Sequence, residues 1–447
     1  MKKVLIITYH WPPMGGGGVQ RWLKMSKYLR NYGWEPIIFT VSDAEISNYD
    51  ESLLSEVPEG VETIRVPIWE PFGLYKKLTG KKKDEKVQPG FLDEGSGNKA
   101  LINLAYWIRG NVFIPDAKRF WIRPASKALT QYLKENHVDA IVSTGPPHST
   151  HIIALNAKRK TNVPWLADFR DPWTFVDYYD KLKLSRGADR RHHKLERQVV
   201  NSADQSVTVT WSWARDFNKM KFDKKMEVVT NGYDPADFAN SKGELDKEFT
   251  ITHVGSMNAD RNPHSLWKAL EDLLKENEEL KNHLKIKLIG PVDHAVFVSL
   301  EKHNLNSCLE YIKGVPHQEV IGHLQSSQIL LLPLNDTPNI DGVVPGKLYE
   351  YIGAKRPILC IGKEDGDSAR IINETQAGVV FGFGQWEPVR DYLNSAFPDY
   401  LNKSFNIRKL KGNYEELLSV YNELFELALA KEEYINAKRQ LGPMQDL

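Results

Sequence analysis

The chain has 447 residues, 59 of them basic and 58 acidic, for a formal charge of +1, with 41% hydrophobic and 26% charged residues. These totals fit an ordinary globular protein of two domains; they exclude a chain-wide field for nucleic acid and leave local basic patches open. The two cysteines, Cys308 and Cys360, lie far apart in apolar contexts, so free buried thiols are expected, with no disulfide framework and no zinc site.

Two lysines lead into Val4-Leu5-Ile6-Ile7 and then into polar, Pro/Gly-rich sequence, which reads as a first strand and not a signal peptide. No apolar run approaches the ~20 residues that cross a bilayer, so a cytoplasmic protein is expected. Val4–Thr8 reads as a strand, Tyr9–Gly18 as a loop, Val19–Tyr32 as a helix and Pro36–Val41 as a second strand. This βαβ unit carries Gly15–Gly18 at its helix start, where backbone can approach an anion closely. A plain flexible loop fits the glycines equally. Arg21, in the first turn, reads as a ligand contact or as a solvated cation.

Glu62–Pro67 reads as a third strand. The stretch 69–123 then mixes Lys76, Lys77 and Lys81–Lys83 with Tyr106, Trp107, Phe113, Phe120 and Trp121. Aromatics among cations suit an anionic membrane surface; packing of the rings onto the sheet, with solvated lysines, is the other reading. Next come a helix over Ala125–Asn136, a strand over Ala140–Thr144 with His148 in the loop behind it, and a helix over His151–Lys160. The strand Trp165–Asp168 runs into Phe169–Trp173. His148, Asp168, Arg170 and Asp171 thus fall at carboxyl ends of strands, the edge where open parallel sheets bind ligands. Arg170 reads as structural, with one of the two aspartates open to ligand. His192 and His193, adjacent on the helix Asp189–Asn201, read as surface residues. Strands follow at Ser206–Val209 and Glu227–Thr230.

Polar, turn-rich sequence near Asp234–Lys247 reads as a linker into a second α/β run. Its strands are expected at Phe249–Val254, Leu284–Ile289, Leu309–Ile312, Ile329–Leu334, Pro357–Ile361 and Gly378–Phe381. Arg261 follows the first of them and can hold a phosphate in its planar fork. Gly342–Gly346 forms a strand-to-helix turn whose amides face outward. Glu350, one turn into that helix, can accept two hydrogen bonds from a vicinal diol or stand solvated. Asp365 and Asp367 read as favourable charges at a helix start. Tyr414–Ala437 reads as an amphipathic helix with Leu417, Leu418, Tyr421, Leu424 and Leu427 on one face.

The strings STGPPHS (143–149), ADFRDPW (167–173) and VPGKLYEY (344–351), set in two α/β halves with a glycine-rich first loop, resemble the retaining nucleotide-sugar glycosyltransferases of family 4 over nearly the whole chain. The resemblance implies a GT-B fold of class α/β: two Rossmann-like parallel-sheet domains facing a cleft, with a C-terminal helix packing back toward the N-terminal domain. The expected boundaries are 1–238 for an acceptor domain, 239–411 for a nucleotide-sugar domain and 412–447 for the helix and tail. It implies donor contacts from Gly16, Gly17, Gly18, Asn231, Gly255, Ser256, Arg261, Val344, Gly346, Lys347 and Glu350. Catalytic or acceptor roles fall on His148, Asp168, Asp171 and Arg261. The family's first glutamate, eight positions before Glu350, is Gly342 here; Asp341 is a possible substitute, and Lys347 a second phosphate cation.

The expected reaction is sugar transfer from a nucleotide-sugar to a glycan or lipid-linked acceptor, with neither metal nor cofactor, and with peripheral contact at the inner membrane face. A GT-B sugar-nucleotide epimerase and a non-catalytic nucleotide-sugar-binding partner subunit are the alternatives. The first lacks a clear carboxylate pair; the second is favoured only by Gly342.

Overall fold

The computed structural model describes residues 1–44, 48–70, 99–176, 178–239, 244–315, 317–337, 339–401 and 414–440. Its contacts divide the chain into two units. The first is Met1–Thr230 with the segment from Leu417 onward, and the second is Asn231–Glu416.

The first unit runs β1 (Lys2–Ile7), α1 (Gly17–Tyr28), β2 (Trp34–Val41), β3 (Glu62–Val66), α2 (Lys99–Asn111), α3 (Ile122–Glu135), β4 (Ala140–Gly145), α4 (Ser149–Thr161), β5 (Trp165–Phe169), α5 (Arg186–Ser202), β6 (Gln205–Thr208), α6 (Trp211–Lys219) and β7 (Glu227–Val228). The described strands form one parallel sheet in the order β3-β2-β1-β4-β5-β6-β7. Val4, Leu5, Ile6 and Ile7 are all fully buried, as a parallel strand covered on both faces requires. Pro36 is tolerated inside β2 because it pairs only with Val4 of β1; pairing with β3 begins at Ile37.

The second unit runs α7 (Pro235–Ala239), β8 (Phe249–Val254), α8 (His264–Glu276), α9 (Glu278–His283), β9 (Leu284–Ile289), α10 (His294–Lys302), β10 (Leu309–Ile312), α11 (His317–Ser326), β11 (Ile329–Pro333), α12 (Gly346–Ala354), β12 (Ile358–Ile361), α13 (Asp367–Glu374), β13 (Gly378–Phe381) and α14 (Trp386–Leu401). Its described strands make a parallel sheet in the order β10-β9-β8-β11-β12-β13. Cys308 and Cys360 are both buried and free, and burial pushes the Cys360 thiol up to about 12. The final helix, α15 (Tyr414–Gln440), belongs to the first unit from Leu417 on. It buries Leu418, Tyr421, Leu424, Phe425 and Ala428, while Leu427, expected on that face, is 57% exposed. Phe425 packs on Trp34 at 4.9 Å and Tyr421 on Trp22 at 5.2 Å.

Several expectations change. The helix expected to reach Tyr32 ends at Tyr28 and tightens into a 3₁₀ turn, Leu29–Tyr32. The strand expected to run to Thr230 is only Glu227–Val228. His192 is buried, accepting from Trp173 Nε1 at 3.0 Å and lying 3.1 Å from the Gly110 carbonyl; only His193 is a surface residue. The lysines at 76–77 and 81–83 and the Gly90–Asn98 stretch lie outside the described residues. The aromatics around them divide. Trp121 is buried and donates to the Val66 carbonyl, while Trp69 and Phe120 are exposed and meet edge to face at 4.9 Å. Among the described residues no helix is long and apolar enough to cross a membrane.

At the centre of the first unit, Arg21 and Asp168 form a fully buried ion pair at 3.2 Å. Arg21 also donates to the Val229 carbonyl at 2.7 Å, the Thr230 carbonyl at 2.8 Å and the Tyr421 hydroxyl at 2.6 Å. Asp168 accepts from Trp22 Nε1 at 2.7 Å, Thr144 Oγ1 at 3.0 Å and the Tyr421 hydroxyl at 3.2 Å. Burial acts to raise the Asp168 pKa, but the Arg21 charge and these hydrogen bonds outweigh it and hold the carboxyl below its ordinary range. Removing the charge strands a buried guanidinium. Asp168→Asn is therefore expected to cost about 3–5 kcal/mol in denaturant unfolding, and Tyr421→Phe about 1–2 kcal/mol. A loss below 1 kcal/mol for Asp168→Asn, read with the same m-value, contradicts the central role given to the pair.

Candidate functional site

Both sheets reverse their winding direction once, between β1 and β4 in the first unit and between β8 and β11 in the second. Loops leaving the carboxyl ends of two such neighbouring strands diverge to opposite faces and open a crevice. Functional side chains are therefore sought at these two edges, each within its own unit.

In the second unit, β8 ends at Val254 and the chain turns through Gly255 and Ser256 to Arg261. Gly255 has φ +101°, a backbone conformation that favours glycine, and a Cβ there would stand 2.9 Å from Lys347 Nζ and displace the lysine tip. Arg261 is held in place by Asn335, beyond β11, through Nε–H···Oδ1 at 2.8 Å, and its Nη1 reaches the Ser256 carbonyl at 3.3 Å. Lys347 is the second residue of α12, whose start has no side-chain cap and no acidic residue in its first turn. Its Nζ donates to His253 Nε2 at 3.3 Å, while His253 Nδ1 donates to the Leu331 carbonyl at 3.0 Å. Burial, then the charges of Lys347 and Arg261, lower His253 to about 3, so it is a neutral acceptor. Burial and the Arg261 charge bring Lys347 down to about 8, against the opposing pull of Glu350. Tyr351 fixes α12 on the sheet, accepting from the Val254 amide at 3.0 Å.

Two cations, uncapped amides and one carboxylate thus gather at this edge, an arrangement that fits a phosphate with a polar group beside it. Ser256 and Gly346 are exposed; Asn231, Val344 and Glu350 are half-buried. Asp341, the possible substitute for the family's glutamate, pairs with Lys363, and Gly342 is buried. Lys268 faces elsewhere, 2.8 Å from Asp272. Sequence reasoning did not find His253 or Asn335. A histidine inside an apolar strand was the one available signal for the former; nothing local marks the latter.

In the first unit, Gly16 precedes α1, and Gly17 and Gly18 begin it. A Cβ on Gly18 would meet the His10 ring at 3.0 Å. Arg170 donates to the Gly18 carbonyl at 2.7 Å and the Pro146 carbonyl at 3.1 Å, so it ties together the two loops of the crevice, the structural role expected of it. Burial, then Arg170 and Lys118, lower His10 to about 3. Asp171 is half-buried at this edge. One candidate is corrected. Asp168 is a core counter-ion rather than a carboxylate facing a ligand. His148 is buried with its ring stacked on Trp173 at 4.8 Å, and its Nδ1 has no partner among the described residues. Arg21, weighed as a solvated cation or ligand contact, is the partner of Asp168.

Residues 91–237 match the family model described as Glycosyltransferase Family 4, and residues 236–409 match that described as Glycosyl transferases group 1. The protein is a group 1 glycosyltransferase. No curated protein matches the sequence. Among solved structures, sucrose-phosphate synthase from Thermosynechococcus elongatus superposes with a TM-score of 0.56 at 11% identity, over 99% of each chain. Anabaena HepE in complex with UDP gives 0.57 at 11% identity, over 98% of this chain and 100% of that one. The UDP-forming trehalose-phosphate synthase of Burkholderia xenovorans, in complex with glucose-6-phosphate, gives 0.54 at 13%, over 99% and 100%. At these identities the likeness is one of fold, and the fold of this glycosyltransferase is GT-B.

Its buried ionisable groups make stability depend on pH. Burial lowers His151 and His253 to about 3, and His148 well below its ordinary value. The unfolded chain, with histidines near ~6.5, takes up protons first, so stability falls as pH drops below ~6.5. Glu196 works oppositely: burial raises it to about 7. Its contribution is present below the unfolded value of ~4.3 and is lost as pH rises through about 7. Thermal midpoints across this range are expected to show His151→Gln flattening the acid limb and Glu196→Gln gaining on wild type between pH 5 and 8. Parallel curves for all three proteins contradict the assignment.

Proposed function

We propose that this glycosyltransferase moves a sugar from a nucleotide-sugar donor to a hydroxyl of a glycan or lipid-linked acceptor, without a divalent metal and with retention at the anomeric carbon. The observation that carries the reading is the meeting of Arg261 and Lys347 at the uncapped start of α12, beside Gly255. The bond from the anomeric carbon to the diphosphate oxygen breaks, and negative charge grows on the leaving diphosphate. Arg261, Lys347 and the amides of Gly346 and Lys347 stabilise that charge more in the transition state than in the bound donor. Two fixed cations supply the compensation that a divalent ion would otherwise provide. The acceptor oxygen forms the new bond to the anomeric carbon, and its proton passes to the departing phosphate oxygen. Glu350 holds the ribose diol. Retention and the ribose role of Glu350 rest on the family resemblance.

On the acceptor side, the edge of the first unit offers His10, Arg170, Lys118 and Asp171. His10, held neutral, can accept the hydrogen bond of a substrate hydroxyl. The exposed Trp69, Trp107 and Phe120 support seating at the cytoplasmic face of a membrane, where a lipid-linked acceptor is presented.

Thermal unfolding with UDP, GDP, ADP, CMP and their common sugars, with and without EDTA, tests the donor reading. A ligand at 100 times its dissociation constant adds ~2.7 kcal/mol. One nucleotide is expected to stabilise the protein equally with EDTA present; no shift with any of them overturns the reading. Glu350→Ala is expected to weaken donor binding by about 1–3 kcal/mol. Lys347, at about 8, loses its charge as pH rises, so nucleotide affinity is expected to fall from pH 7 to 9 in wild type and to stay flat in Lys347→Arg, measured by calorimetry.

A further inference from the structure

Helices α3 and α4 flank an open groove of about 370 Å³ lined by Arg123, Ser126, Lys127, Asn156, Arg159 and Lys160, its four cations exposed. It lies along α4 from His148: Asn156 is eight residues on, about 12 Å at helical rise. None of its four cations pairs with a carboxylate among the described residues, whereas the neighbouring Lys158 pairs with Asp204 at 2.8 Å. The floor is polar. Ser126, buried, accepts from Asn156 Nδ2 at 3.1 Å, and its own hydroxyl proton has no acceptor among the described residues.

Solvated helix cations are the ordinary explanation of such a surface, and Arg159 and Lys160 do sit in the last turn of α4, where the helix dipole favours them. It accounts less well for Arg123 and Lys127. Both are exposed, but Arg123 stands in the first turn of α3, which has no acidic residue and no side-chain cap, so the dipole opposes it. They are also a like-charge pair at i, i+4, which is destabilising by itself. Four uncompensated cations around a concavity with a hydroxyl donor in its floor form a complement to a small, multiply charged anion. Two guanidiniums supply the planar forks that phosphate oxygens accept.

We propose that this groove is a second anion site, separate from the donor site, that takes a phosphate-bearing group. That group is either a soluble phosphate or the headgroup of an anionic lipid. The assignment does not rest on the donor reading.

Calorimetric titration with inorganic pyrophosphate, and co-sedimentation with phosphatidylglycerol vesicles against phosphatidylcholine vesicles, test it. Both are run in a Lys347→Ala background, so that the second unit's lysine does not contribute. The starting protein is expected to bind pyrophosphate, or phosphatidylglycerol but not phosphatidylcholine. Adding Arg123→Gln with Lys127→Gln is expected to weaken this about tenfold or more, and Arg123→Glu with Lys127→Glu to abolish it. Binding of pyrophosphate identifies a soluble phosphate; binding of anionic vesicles alone identifies a headgroup. Circular dichroism confirms that the variants are folded, and the neutral pair keeps the test open if the reversed pair is not. Failure of the starting protein to bind either probe, or affinity unchanged in the folded variants, overturns the proposal. Nucleotide titration of the same variants in the Lys347 background is a separate arm, so failure of the donor reading is distinguishable.

Discussion

The first unit is built around one charge that has been taken out of water. A buried carboxylate costs several kcal/mol unless its partners are complete, and Asp168 meets that demand with Arg21, Trp22, Thr144 and Tyr421. The four partners come from three elements, Arg21 and Trp22 from α1, Thr144 from β4 and Tyr421 from α15, with Arg21 reaching on to the carbonyls of Val229 and Thr230 beyond β7. Apolar burial alone tolerates small shifts of helix against sheet; a set of directional hydrogen bonds around a charge does not. The pair therefore specifies where α1 begins, and with it where the glycines at its start stand relative to Arg170 and the loop after β4.

The same logic, with opposite sign, shapes the edge of the second unit where Arg261 and Lys347 stand. There the half-buried groups are cations, and their environment is only partly compensated. His253 gives Lys347 a neutral acceptor rather than a counter-charge, and Asn335 does the same for Arg261. Both cations are positioned without being neutralised, which leaves positive potential for an anionic ligand. The two arginines differ in their partners: Arg21 has a carboxylate, while Arg261 has an amide and a carbonyl.

Much of this was legible in the sequence because parallel strands buried on both faces are continuous apolar runs. Phe249–Val254, Leu284–Ile289, Leu309–Ile312 and Gly378–Phe381 have the boundaries that their composition predicts. The strand-to-helix turn before Lys347 was legible from its glycine and proline. What was not legible depends on contacts distant in sequence. Asp168 at a strand end looks like a site residue until Arg21, 147 positions away, is seen beside it. His192 looks solvated in a charged helix until Trp173 and Gly110 claim it. The helix Trp386–Leu401 was hidden by its two prolines, one in the first turn, where the missing N–H costs nothing, and one near the end.

The hydroxyl of Tyr421 has a consequence for the order in which the protein can become itself. Domains emerging from a ribosome tend to fold as units, the N-terminal one first. Here the residues that close the buried cluster of the first unit are synthesised only after the whole of the second. During that interval Arg21 and Asp168 have each other but lack the hydroxyl that binds both, and Trp22 and Trp34 lack the aromatic rings that cover them. The nascent first unit is thus an unfinished fold waiting on a distant segment, and its tryptophans are surfaces that a chaperone can occupy until α15 arrives.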